Sequence, residues 1–280
     1  MTTTARQRFW LWGHPAGAHN AVAAFNLPER SSIEPTEAAE RLGIPNLIMV
    51  AFGGEPRPPF EPYAEPMRRL DRLVWSIVGD RSSQRNDRTP DLEPVLSLAK
   101  RHPALIGGIM DDYFDRRLGP AADYARFSVD QTRRFAEALH HGRRPLDLWV
   151  VLYDHQLDLP VGDHLAACDV ITYWTWEAKN VPELEINFAR AQALAPGKRF
   201  MQGVYLWDYG GGGQPMPVDA LKAQCEIGLR WLQEGRTEGM IFLGSCIADL
   251  NLEAIAWLRD WIERVGSIAV PDAPAAAPSS

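Results

Sequence analysis

Gly107-Gly108-Ile109-Met110-Asp111-Asp112-Tyr113-Phe114 carries two glycines and two apolar residues into a pair of adjacent carboxylates and two aromatic rings. With Ala104–Ile106 in front of it, the stretch has the pattern of a buried strand that delivers acids at its carboxyl end. In parallel α/β folds that end is where chemistry is done. The rest of the chain decides whether this strand stands alone.

It does not. Comparable runs occur at Phe9–Gly13, Asn46–Phe52, Leu73–Val78, Leu146–Tyr153, Val170–Trp176, Phe200–Trp207 and Met240–Leu243. Most are short continuous apolar runs rather than alternations, as parallel strands covered on both faces require. Amphipathic stretches at Pro35–Leu42, Glu61–Arg72, Leu92–Arg101, Ala121–His140, Val161–Ala167, Glu183–Leu194, Val218–Glu234 and Leu250–Val265 fill the gaps. Prolines 35, 90, 120, 182 and 217 stand at or near the helix starts, where a missing N–H costs little. Gly142 and Gly235 stand where helices should stop. Eight strand–helix alternations without a break in composition predict a single-domain (β/α)8 TIM barrel over 1–268. A doubly wound sheet is the rival, but it does not call for eight repeats. The Ala/Pro/Ser-rich tail, 269–280, is expected to be disordered.

The 280 residues are 46% hydrophobic, enough for one large core, and carry a formal net charge of −7. No basic stripe offers a surface for nucleic acid or for an anionic membrane. Cys168, Cys225 and Cys246 stand in unrelated contexts, with neither disulfide-framework nor metal-finger spacing. Together with the absence of an apolar leader after Met1, that reads as a cytoplasmic protein.

In a barrel the loops after the strands share one face. Strand one leads to His14, His19 and Asn20, strand two to Glu55 and Arg57, strand three to Asp80 and Arg81. Asp154 and His155 follow strand five, and Ser245, Cys246 and Asp249 follow strand eight. Strand six ends in Tyr173-Trp174-Thr175-Trp176-Glu177, and strand seven in Tyr205-Leu206-Trp207-Asp208-Tyr209 before the run Gly210–Gly213. The face is rich in carboxylates and aromatics and poor in lysine. Cleaving a glycosidic bond takes two carboxyl groups, one to protonate the leaving oxygen and one to attack or to activate water. Trp and Tyr rings offer apolar faces to a pyranose and a polar edge to its hydroxyls.

The candidate catalytic acids are therefore Asp111, Asp112, Glu177 and Asp208. The expected substrate-binding set is His14, Tyr113, Asp154, His155, Trp174, Trp176, Tyr205 and Trp207. Neighbours on a strand point to opposite faces, so one of the Asp pair should face the mouth. The series Leu105, Gly107, Ile109 reads as helix-facing, which selects Asp112. Glu177 has a structural alternative as a first-turn acid, and Asp208 as a loop cap. Trp231, Trp257 and Trp261 lie on helical patterns and read as core, while His102, His140 and His141 read as solvent-facing helix ends. The glycine run reads as a lid rather than a phosphate cradle, since no Lys or Arg lies near it.

Ile109–Phe114, Trp174–Glu177 and Tyr205–Tyr209 together resemble the strand ends of (β/α)8-barrel glycoside hydrolases. That resemblance implies a hydrolase acting on a small-molecule or oligosaccharide substrate without a cofactor or metal. It also implies one essential acid after strand four and another after strand six or seven. The chain departs from the largest such clan in lacking an Asn-Glu pair at the end of strand four, so the roles of its acids stay open. Two other classes compete. A metal-dependent barrel isomerase or hydrolase would use His14, Asp112, His155 and Glu177, and a non-catalytic barrel would bind carbohydrate alone. A Schiff-base enzyme needs a lysine inside the barrel, and Lys179 lies past its strand.

Overall fold

The computed structural model of the chain describes residues 3–272. Strands β1 (Phe9–Gly13), β2 (Asn46–Met49), β3 (Arg72–Val78), β4 (Leu105–Met110), β5 (Asp147–Tyr153), β6 (Val170–Trp174) and β7 (Arg199–Tyr205) run parallel. After β7 come a two-stranded hairpin, β8 (Trp207–Asp208) with β9 (Gln214–Pro215), and then β10 (Gly239–Leu243), which pairs with both β7 and β1. The barrel is closed in the order β1-β10-β7-β6-β5-β4-β3-β2. Each barrel strand is followed by one helix: α1 (Pro35–Leu42), α2 (Glu61–Ala64), α3 (Leu92–Ala99), α4 (Val129–His140), α5 (Gly162–Ala166), α6 (Leu184–Leu194), α7 (Val218–Gln233) and α8 (Glu253–Val265). This is the (β/α)8 barrel that the repeats predict.

Helix ends follow local chemistry. Pro35 opens α1, and Gly43 closes it in the left-handed region at φ 66°. α4 begins later than the pattern suggests, because Ser128 and Gln131 form a reciprocal capping box there. The Glu61–Arg72 stretch yields only the one-turn α2 and a 3-10 turn over Glu65–Arg69. At the C-terminus Ala269 bridges to Thr4, and the Val270 amide donates to the Thr3 carbonyl. Of the expected tail, 273–280 lie outside the described residues.

Aromatic rings fill the barrel. Trp10 packs on Trp149 with centroids 5.3 Å apart, and Trp12 on Trp174 at 5.2 Å, which in turn meets Tyr205 at 5.0 Å. On the outer side Phe9 and Phe242 pack against Trp261, and Trp231 stacks on Phe188 at 4.0 Å. His102 is buried, its Nε2 3.1 Å from the Ala64 carbonyl, rather than solvent-facing.

Gly203 on β7 shows how tight the interior is. A Cβ there would sit inside the van der Waals envelope of the Trp174 indole. Gly203→Ala therefore costs about 1–3 kcal/mol of stability through overpacking, read as a lower midpoint in urea unfolding.

Candidate active site

The parity argument for the Asp pair meets an irregularity in the sheet. The β3–β4 register shifts between Leu73 and Val74, so that Leu73 pairs with Leu105 but Val74 with Gly107. This bulge reverses the alternation. A Cβ on Gly107 would meet Trp149 Nε1 at 2.7 Å, whereas one on Gly108 would meet Ile77 and Leu139, the latter on α4. Gly107 therefore faces the barrel interior and Gly108 the helices, the reverse of the expected assignment. Asp111 inherits the inward phase.

Asp112 is not thereby sent outward. Its φ of 43° lies in the left-handed region, which Asp tolerates better than most residues and which ends the strand's alternation. Both carboxylates line the same cavity at the barrel mouth. The volume of this cavity is about 450 Å³. Its polar residues include His14, Asp80, Arg81, Asp111, Asp112 and Tyr153, and its rings include Trp12, Phe25, Phe52, Trp174, Trp176, Tyr205 and Tyr209.

The environments of the two acids differ. Asp112 is held by donors on both oxygens, the Tyr153 hydroxyl to Oδ1 at 2.9 Å and the Arg81 amide to Oδ2 at 3.0 Å. These two donors fix the orientation of the carboxyl group. The Tyr153 hydroxyl is pushed well above its ordinary range by burial first and then by Asp112. Asp111 is buried, and its pKa is raised well above the usual carboxylate range by that burial, then by Asp112 and by Asp80. The Asp112 amide donates to Asp111 Oδ1 at 2.8 Å, which offsets only part of the rise.

Asp80 is fully engaged. It accepts from Ser82 Oγ at 2.6 Å, Ser83 Oγ at 2.8 Å and the Ser82 amide at 3.1 Å, so it pins the loop after β3 while adding charge beside Asp111. His14 is engaged too. Its Nδ1 lies 3.0 Å from the Val50 carbonyl and its Nε2 accepts from Trp12 Nε1 at 3.2 Å, which fixes a neutral ring, and burial lowers its pKa.

The structure divides the remaining sequence candidates. Trp174, Trp176 and Tyr205 line the mouth cavity with Asp111 and Asp112, and His155 lines an adjoining side lobe. Five candidates line neither space. Tyr113 is fully buried, its hydroxyl donating to the Phe127 carbonyl at 3.0 Å. Trp207 is buried, its indole N–H donating to the Phe25 carbonyl at 2.9 Å. Asp154 accepts from the Trp176 amide and from Asn180. Burial favours its neutral form, but these bonds and those from His155 outweigh it and lower its pKa. It thus organises the loops that carry Trp176 and His155.

Glu177 pairs with Lys179 at 2.7 Å in a separate surface pocket shared with Asp208. Asp208 is buried and accepts from the Ala178 amide at 3.1 Å, the Gly211 amide at 2.9 Å and Gln214. The glycine run is thus a turn wound round the Asp208 carboxylate, and Gly213, at φ 69°, abuts the Ala24 and Phe25 carbonyls. Close approach explains Gly210, Gly211 and Gly213, and a φ of 95° explains Gly212.

Reasoning from sequence missed Tyr153 as the partner of Asp112. The phase of β5 carries the signal, since Trp149 faces the interior and Tyr153 lies four residues on. Phe25 ends a 3-10 turn over Ala23–Phe25 that no periodicity marks, and Phe52, read as the end of the second strand run, lies beyond β2, which stops at Met49.

No family model matches the chain, and no curated protein matches it in sequence. Solved structures do match. A GH99 endo-α-mannosidase from Bacteroides thetaiotaomicron has a TM-score of 0.54 at 9% identity, with 90% of this chain and 86% of that one covered. A GH113 β-mannanase from Alicyclobacillus acidocaldarius has a TM-score of 0.52 at 11% identity, covering 94% and 98%. A xylanase and α-amylase inhibitor protein from Scadoxus multiflorus has a TM-score of 0.53 at 14% identity, covering 93% and 99%. At these identities the likeness is one of fold. Among the described residues no helix is long and apolar enough to cross a membrane.

Proposed function

We propose that the chain is a glycoside hydrolase whose reacting carboxyl groups are Asp111 and Asp112. The observation that carries this reading is the pair itself. Two adjacent carboxyl groups line one aromatic-walled cavity in different surroundings: burial beside Asp112 and Asp80 raises the pKa of Asp111, while Asp112 accepts from the Tyr153 hydroxyl and the Arg81 amide. A carboxyl group kept protonated by burial beside a second carboxyl group is placed for general acid chemistry.

Asp111, protonated because its charge is unwelcome where it lies, donates a proton to the leaving glycosidic oxygen. Asp112, oriented by hydrogen bonds from the Tyr153 hydroxyl and the Arg81 amide, attacks the anomeric carbon or activates water. Trp174, Trp176 and Tyr205 supply rings for the sugar. Glu177 and Asp208 keep the β6 and β7 loops in place, outside the reaction. The glycosidase names among the solved barrels agree with this reading, but a barrel hosts many activities and the site has to carry the argument.

A non-catalytic sugar-binding barrel is the second reading. It is favoured by the apolar character of the mouth and by the presence of an inhibitor protein among the similar folds. The alternative metal set does not converge: His14 and Asp112 line the mouth, His155 the side lobe and Glu177 a third pocket. Among the described residues no three His, Cys, Asp or Glu side chains group to hold a metal ion.

A screen of aryl glycosides and polysaccharides with wild type, Asp111→Asn and Asp112→Asn tests the proposal. Sugar release confined to wild type supports it, and binding without release in all three proteins sinks it. Asp80 offers a finer test. Its charge helps hold the Asp111 proton, so in Asp80→Asn the alkaline limb of the pH–rate profile moves to lower pH. A profile that scales down without shifting would contradict the role given to Asp111.

A further inference from the structure

A side lobe of about 350 Å³ adjoins the mouth cavity, and the two spaces share Arg81, Asp112, Tyr153 and Trp176 as lining residues. Their charges are opposite. Three carboxylates, Asp80, Asp111 and Asp112, line the mouth with Arg81 as its one cation. The lobe adds two more guanidiniums, Arg116 and Arg117, and only one more acid, Asp115.

The lining of the lobe sets three guanidiniums, Arg81, Arg116 and Arg117, against two carboxyl groups, Asp112 and Asp115, and neither of the two guanidiniums beside Asp115 has a carboxylate to itself. The Asp115 side chain is only 11% exposed, and both Arg81 and Arg117 bind it, Arg117 Nη2 at 2.9 Å. Its Oδ1 also accepts from the Arg117 amide at 2.8 Å, so one carboxylate is spent in clasping two guanidiniums. Burial, and then repulsion from Arg117, lowers the pKa of Arg81. Arg116 meets Asp158 at 2.6 Å, but both side chains are 60% exposed, and such pairs hold weakly. In a chain of net charge −7, these three guanidiniums lie beside the reacting acids.

We propose that the lobe is a subsite for an anionic group, a carboxylate or a sulfate ester, carried by the sugar unit next to the scissile bond. Planar guanidinium groups suit both anions because they donate two parallel hydrogen bonds. The side chains of Arg117 and Arg81 are 80% and 36% exposed, so donors remain free for a ligand after Asp115 is served. His155, stacked on Tyr153 with centroids 5.3 Å apart, and Trp176 form the ring-bearing wall where the sugar itself would lie. The proposal rests on the glycosidase reading for the position of the scissile bond, and its test is a binding measurement that needs no turnover.

Titration calorimetry of the full chain would compare glucuronate and galacturonate with glucose and galactose, with the 6-sulfates of both sugars as a third arm. The expected result is binding of the uronates or the sulfates about ten- to a hundredfold tighter than that of the neutral sugars. That advantage shrinks with added salt and disappears in Arg117→Gln, a change at an exposed side chain. Which arm wins identifies the anion. Equal affinity across the three arms, or an advantage that survives Arg117→Gln, overturns the proposal. Cleavage of neutral aryl glycosides with no anion preference would leave the hydrolase standing without this subsite. Anion preference with no cleavage of any glycoside would leave the subsite without the hydrolase.

Discussion

Asp111→Asn cuts hydrolysis of glycosides with poor leaving groups by on the order of 10²–10⁴-fold, while strongly activated aryl glycosides lose far less. The difference follows from the task given to Asp111. A leaving alkoxide must be protonated as the bond breaks, whereas a nitrophenolate departs unaided. The substitution keeps the shape of the side chain and its acceptor for the Asp112 amide, so the fold is not at risk. Stability should change in the opposite sense to activity. The folded-state pKa of Asp111 lies above its unfolded value, so the native state binds the extra proton, and stability is lost as pH rises from the unfolded pKa through the folded one. Asn carries no such penalty. Thermal melts of the variant should therefore lie above wild type near pH 7 and converge with it near about pH 4, the ordinary carboxylate value. Equal loss across all leaving groups, measured by kcat/KM over a series of aryl glycosides, would remove Asp111 from the acid role.

Asp112→Asn gives the contrasting pattern. Here the loss, also on the order of 10²–10⁴-fold, is the same for good and poor leaving groups, because the attacking or water-activating group is missing in both cases. The Tyr153 hydroxyl and the Arg81 amide, now facing an amide side chain, lose their charged acceptor. Substrate binding should change little, since the aromatic wall is untouched. A KM that rises while kcat is preserved would mark Asp112 as a binding group and not a reacting one.

The two variants bear on how far the sequence could be read. The barrel was legible because each strand is a short apolar run between amphipathic stretches, and eight repeats leave few other arrangements. Asp111 and Asp112 were legible as a pair because they end such a run. Which of them faces inward was not, because the β3–β4 register shifts twice, at Leu73/Val74 and at Ser76/Val78, the first shift reverses the phase of β4, and a left-handed Asp112 then turns the chain again. Neither feature has a signature in residue types alone. Glu177 and Asp208 have the same local look as Asp112, an acid beside aromatic rings at a strand end. What separates them is where the loops fold back: Asp208 is wrapped by its own glycine turn, and Glu177 is drawn to Lys179. Tyr113 and Trp207 follow the same lesson, since a ring next to a strand end is as useful for closing the core as for stacking on a sugar.

The central claim is that the Asp111–Asp112 cavity hydrolyses glycosides, and release of the aryl group from a panel of aryl glycosides by wild type beside Asp112→Asn tests it most directly. The prediction is release by wild type from at least one member of the panel and a loss on the order of 10²–10⁴-fold in the variant. Release that survives Asp112→Asn unchanged, or a wild type that binds sugars and releases nothing, contradicts it.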